Sequence, residues 1–93
     1  MTAADALTLL EVDLGELYPS AQRVEYLNQA ISAAMGMIAR EGVVLQDTPE
    51  DWQLVVMYAA YLVRKRATAE PMPRMLRWTL NNRLFSQKVS GNA

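Results

Sequence analysis

Apolar residues fall along this chain in four blocks whose spacing is helical rather than alternating. In the first block Leu7, Leu10 and Leu14 recur at intervals of three and four, behind Thr2 and Asp5, the two ends of a weak capping box. The spacing predicts a helix from about Ala3 to Leu14, stopped by Gly15. Glu11, Asp13 and Glu16 then crowd negative charge onto the negative end of its dipole, so that end is expected to fray or to meet a basic partner. Pro19 and Ser20 mark the next start. Ser20 is the natural N-cap, and Val24, Leu27, Ile31, Ala34 and Ile38 form a stripe of period near 3.6, predicting a second helix that ends at Gly42. Gly36 inside it costs about 1 kcal/mol relative to alanine, which points to a close backbone approach by a neighbour or to simple tolerance.

The third block is the most apolar. Thr48, Pro49 and Asp51 make a strong start signal: Thr48 caps, Pro49 sits where a missing N–H does no harm, and Asp51 faces the positive end of the dipole. A helix from Pro49 to about Thr68 follows. From Leu54 to Val63 every residue is apolar or aromatic, so this helix has no evident solvent face and is expected to be covered on all sides, more than so short a chain supplies alone. Between Gly42 and Thr48 the segment VVLQD reads as a hydrophobic loop that packs down. Pro71 and Pro73 turn Glu70 and Met72 away from helical angles, and a fourth helix is predicted from about Arg74 to Lys88. Leu76, Leu80 and Leu84 supply its core stripe, while Trp78 and Phe85 lie on another face. Residues from Ser86 onward have little to bury.

These elements define an all-α fold, a small bundle of about four helices in one domain spanning 1-93. Residues 1-19 form an N-terminal helix and loop, 20-88 the helical core, and 89-93 a flexible tail. The third and fourth helices are expected to pack against the second through Ile31, Ile38, Trp52, Val56, Ala59, Leu76 and Leu80. The apolar fraction, 52% against 20% charged, is high for 93 residues and suggests a subunit of an oligomer.

Charge sharpens that picture. Residues 1-51 hold nine acids and two bases, and residues 52-93 seven bases and one acid, although the formal net charge is only -1. The acids of the first half (Glu11, Asp13, Glu16, Glu25) and the bases of the second (Arg64, Arg66, Arg74, Arg77) are expected to exceed what one bundle can pair, which favours head-to-tail association or an anionic partner. The longest apolar run is about half of the ~20 residues needed to cross a bilayer, and the acidic N-terminus lacks the bases of a signal peptide, so no membrane partner is expected.

Candidate chemistry is sparse. With no cysteine and no histidine, thiolate zinc sites, disulfides and imidazole acid-base schemes are excluded, and neither a glycine-rich phosphate loop nor a paired carboxylate spacing occurs. No enzyme activity, metal or cofactor is expected. The candidate interaction residues are Tyr58, Tyr61, Arg64, Arg66, Arg74, Arg77, Trp78, Asn81, Asn82 and Phe85. Aromatic and basic residues interleave there as they do at subunit interfaces. The same pattern suits nucleic acid, with Arg74, Arg77, Arg83 and Lys88 at phosphates and Trp78 or Phe85 stacking. A third reading places both aromatics in the core.

The run MYAAYLVRKR, a joint, and then MPRMLRWTLNNRLFSQK resembles the head-tail connector proteins of tailed bacteriophages and prophages, also called adaptor or DNA-packaging proteins. The similarity is strongest over Asp51 to Lys88, above all at Asn81-Asn82-Arg83-Leu84-Phe85 with Met72-Pro73-Arg74 before it. It is looser over Ser20 to Gly42. The resemblance implies a non-enzymatic virion protein that forms a homo-oligomeric ring beneath the portal protein. Such a ring extends the channel through which DNA passes and offers a docking surface to the next head-completion or tail protein. It implies a location at the head-tail junction, and in the host bacterial cytoplasm during assembly. The alternative is a small helical DNA-binding or regulatory module that uses the basic C-terminal helix.

Overall fold

The structure, a computed structural model, describes residues 2-90 and every side chain among them except that of Ala3. Four helices follow one another: α1 (Ala3–Leu14), α2 (Ala21–Arg40), α3 (Pro49–Thr68) and α4 (Arg74–Val89). The described residues contain no strand.

Each start is fixed locally. The Thr2 backbone N–H donates to Asp5 Oδ2 at 3.0 Å and the Asp5 N–H donates to Thr2 Oγ1 at 3.3 Å, a reciprocal capping box. Ser20 Oγ accepts from the Arg23 N–H at 3.1 Å, and Thr48 Oγ1 from the Asp51 N–H at 3.2 Å. Pro73 precedes α4 without a side-chain cap. At the other ends, Gly15 and Gly42 turn the chain with φ of +73° and +100°. A Cβ at Gly42 would meet Leu84 Cδ1 at 3.5 Å, an ordinary contact, so it is the positive φ rather than the space that calls for glycine there. Ala69 closes α3 in the left-handed region at φ +56°.

α3 is the axis of the molecule. Leu54, Val55, Val56, Tyr58, Ala59, Ala60, Tyr61 and Val63 are all buried, because α1, α2 and α4 pack against different sides of it. Burying each large side chain contributes about 1.5 to 3 kcal/mol, which is why the least amphipathic segment becomes the centre. The expectation that this helix needs cover from another subunit is therefore corrected: the cover is supplied by its own chain. α2 contributes Leu27, Ala30, Ile31, Ala34 and Ile38, and α1 contributes Ala6 and Leu10.

Several expectations change in detail. α4 packs chiefly on α3 rather than on α2, with Leu76 and Leu80 buried there. Trp52 stands at the edge of the core, half-buried, with its indole N–H donating to Asp47 Oδ1 at 2.6 Å. Of the 43-47 loop, Val43 is buried but Val44 is exposed. Gly36 lies on an exposed side of α2, with nothing within 4 Å of a Cβ placed there, so no neighbour approaches and tolerance is the reading that stands. The acidic end of α1 meets a basic partner within the chain. Glu16 takes the Arg23 guanidinium at 2.9 Å (Nε) and 2.7 Å (Nη2), and Asp13 takes Arg64 at 3.2 Å. α4 runs one residue past the expected Lys88, to Val89, with Ser90 at its C-cap, and of the expected 89-93 tail residues 91-93 lie outside the described residues.

Candidate interaction surface

α4 carries two stripes on opposite sides. At about 100° per residue, Leu76, Leu80, Arg83, Leu84 and Gln87 share one side, and Met75, Trp78, Asn82, Phe85 and Val89 the other.

The inner side holds a polar clasp among its leucines. Asp51, buried at the start of α3, accepts from Arg83 Nε at 2.6 Å and Nη2 at 3.0 Å, and from the Gln46 backbone N–H at 2.7 Å. Arg83 Nη2 also donates to the Val44 carbonyl at 2.9 Å. Gln87, likewise buried, accepts from the Val44 N–H at 2.7 Å and donates to the Gly42 carbonyl at 2.8 Å. Burial pushes the Asp51 carboxyl up, but the Arg83 hydrogen bonds, the Gln46 N–H and the guanidinium charge outweigh it, leaving the pKa below its ordinary value. The Arg83 pKa is raised in turn, first by its hydrogen bond to Asp51. Among the described residues no buried side-chain polar atom lacks a partner.

The outer side is different. Trp78 is 63% exposed and Phe85 67%, and Met75 and Val89 are equally open. Asn82 fills the gap between them, its amide donating to the Trp78 carbonyl at 3.0 Å. Arg74, Asn81 and Lys88, seven residues apart, line one border of this stripe, with Thr79 and Ser86 along the other. The positions 75, 78, 82, 85 and 89 follow the alternating three-four spacing of a helix seam.

The candidate residues thus separate into two groups. Trp78, Asn81, Asn82, Phe85 and Arg74 come together on the outer side of α4. Tyr58 and Tyr61 do not belong there. They are 6% and 7% exposed and meet edge to face at 5.9 Å inside the core, and burial, with the Glu41 carboxylate adding to it, raises the Tyr58 phenol above its usual pKa. Arg77 forms a two-pronged pair with Glu41, 3.2 Å on each arm, and its pKa is raised chiefly by that bond. Arg66 and Arg23 each lie 5.3 Å from the Tyr26 ring centroid. Arg64 is held by the Asp13 carboxylate and backbone carbonyl. Three bases of the second half, Arg64, Arg77 and Arg83, are therefore neutralised by acids of the first half inside one chain. The expected excess of unpaired charge is correspondingly smaller.

The clasp residues Asp51, Arg83 and Gln87 went unrecognised as a unit in the sequence. A signal was present: carrying the Val55-Tyr58 stripe back one turn lands on Asp51, and carrying Leu76-Leu80 forward lands on Arg83 and Gln87.

A shallow depression of about 210 Å³, lined by Met35, Leu45, Gln46, Asp47, Asp51, Trp52 and Val55, is mostly apolar, and both its acids are already engaged. Among the described residues no acidic cluster is placed to hold a metal ion, and no helix is long and apolar enough to cross a membrane. Searches of protein-family models, of curated proteins and of solved structures find no match to this chain.

Proposed function

We propose that this chain is a structural subunit of a ring, and that the ring is a head-tail connector of a tailed bacteriophage or prophage. It would sit beneath the portal, extend the DNA channel and offer a docking surface to the next connector or tail protein. The observation that carries this reading is the outer side of α4. A helix that buries Leu76 and Leu80 on one side keeps Trp78 and Phe85 in solvent on the other, and large aromatics with arginine nearby are what subunit contacts use. The resemblance over Asp51 to Lys88 supplies the biological setting.

The test is the mass of the purified protein by native mass spectrometry, alone and mixed with the portal protein of the same genome. A ring, alone or templated on the portal, is expected. A protein that stays monomeric and ignores the portal overturns the reading.

The rival use of the same helix is nucleic-acid binding. Exposed Trp78 and Phe85 beside Arg74 and Lys88 favour it, but Arg77 and Arg83, two of the four bases it would need, are tied to Glu41 and Asp51. A mobility-shift titration at several salt concentrations separates the two. Tight binding that falls steeply with salt and needs no oligomer selects the rival.

A further inference from the structure

A second apolar surface lies on α1. Leu9 and Val12 are exposed on the side away from the core, and Leu17 and Tyr18 just beyond Gly15 are more open still, Tyr18 at 96%. The two surfaces carry opposite signs. α1 contains Asp5, Glu11 and Asp13 and no base; α4 contains Arg74, Arg77, Arg83 and Lys88 and no acid. Arg77 and Arg83 are committed inward, so Arg74 and Lys88 are the cations at the exposed border of α4. On α1, Asp5 shares the side of Leu9 and Val12, four and seven residues before them, and neither it nor Arg74 or Lys88 makes an ion pair within the chain among the described residues.

We propose that the outer side of α4 is covered by the α1 surface and the 17-18 turn of a second copy of this chain. Charge selects this partner. Two α4 surfaces brought together would set Arg74 and Lys88 against like charges, and two α1 surfaces would oppose carboxylates, whereas α4 against α1 joins apolar stripes whose borders attract. Such a contact is heterologous: every copy offers one surface of each kind, so copies add head to tail until the rotation closes a ring. The proposal rests on the oligomeric part of the function proposed above and names the two surfaces that part requires.

The experiment uses two variants of the full chain. One, Trp78→Asp with Phe85→Asp, disables the α4 surface. The other, Leu9→Asp with Val12→Asp, disables the α1 surface. All four positions are exposed, and far-UV circular dichroism checks that helicity is kept. By native mass spectrometry the wild-type chain is expected to form oligomers, and each variant alone to remain at the 10.4 kDa of one chain. Mixing the two variants in equal amounts is expected to give a species of two chains that grows no further, since one intact surface of each kind remains. High salt is expected to weaken it.

Oligomers formed by the α1 variant alone would mean that α4 pairs with itself and would overturn the proposal. So would a wild-type chain that never oligomerises, or variants that assemble normally. Variants that build a normal ring on the portal would remove these surfaces and leave the connector reading in place. The expected pairing of variants with no recognition of a portal would do the reverse.

Discussion

The two sides of α4 treat polar and apolar groups in opposite ways. Inside, Gln87 is buried and Arg83 half-buried among leucines, and they find their partners on Asp51, Gly42, Val44 and each other. Outside, Met75, Trp78, Phe85 and Val89 face solvent with nothing above them. A single sixteen-residue helix therefore separates what holds the monomer together from what is left over for a partner. The contrast shows that exposure of an aromatic and burial of a charge can be two consequences of one rotation about a helix axis.

The largest expected effect is on the inner side. Arg83→Ala strands the Asp51 carboxylate in the core and is expected to lower stability by about 3 to 5 kcal/mol in urea unfolding. A loss below about 1 kcal/mol would mean that the clasp is decorative and the contrast between the sides is false. Next, Gln87→Leu keeps the bulk of the side chain but removes the partners of the Val44 N–H and the Gly42 carbonyl. A loss of about 1 to 3 kcal/mol is expected, read from the same denaturant midpoints.

Acid titrates the clasp. The folded pKa of Asp51 lies below its unfolded value, so its contribution is full above the unfolded value, about 3.9, and is lost as pH falls through the folded one. Glu16, whose pKa is lowered first by its hydrogen bond to Arg23, adds a smaller share of the same sign. Thermal melts between neutral pH and pH 3 are expected to show this loss in the wild type and a shallower one in Arg83→Ala, where the pair is already broken. Equal slopes would place the acid sensitivity elsewhere.

The smallest effect on the monomer is expected from the outer side. Trp78→Ser and Phe85→Ser in dilute solution are each expected to change unfolding free energy by no more than about 0.5 kcal/mol, because neither side chain is packed. A larger loss in unfolding experiments at low concentration would show that these aromatics support the bundle rather than a partner.

The sequence by itself determined the elements. Capping residues, helix-period stripes and proline punctuation act within a few residues, so Thr2, Ser20, Thr48 and Pro49 fixed where α1, α2 and α3 begin, and Gly15 where α1 stops. It also marked Trp78 and Phe85 as lying off the core stripe of α4. What the tertiary structure decided was who covers whom. The Leu54 to Val63 run reads the same whether its cover comes from other subunits or from α1, α2 and α4. Tyr58 and Tyr61 look like contact residues until the bundle closes and leaves them buried. The charge asymmetry between the halves likewise says nothing of distance. Asp13 with Arg64, Glu41 with Arg77 and Asp51 with Arg83 are separated by more than thirty residues, and only folding brings them within hydrogen-bond reach. Local signals are carried by neighbours along the chain, whereas pairing depends on how faces rotate against one another when the core closes, and no spacing in the sequence encodes that rotation on its own.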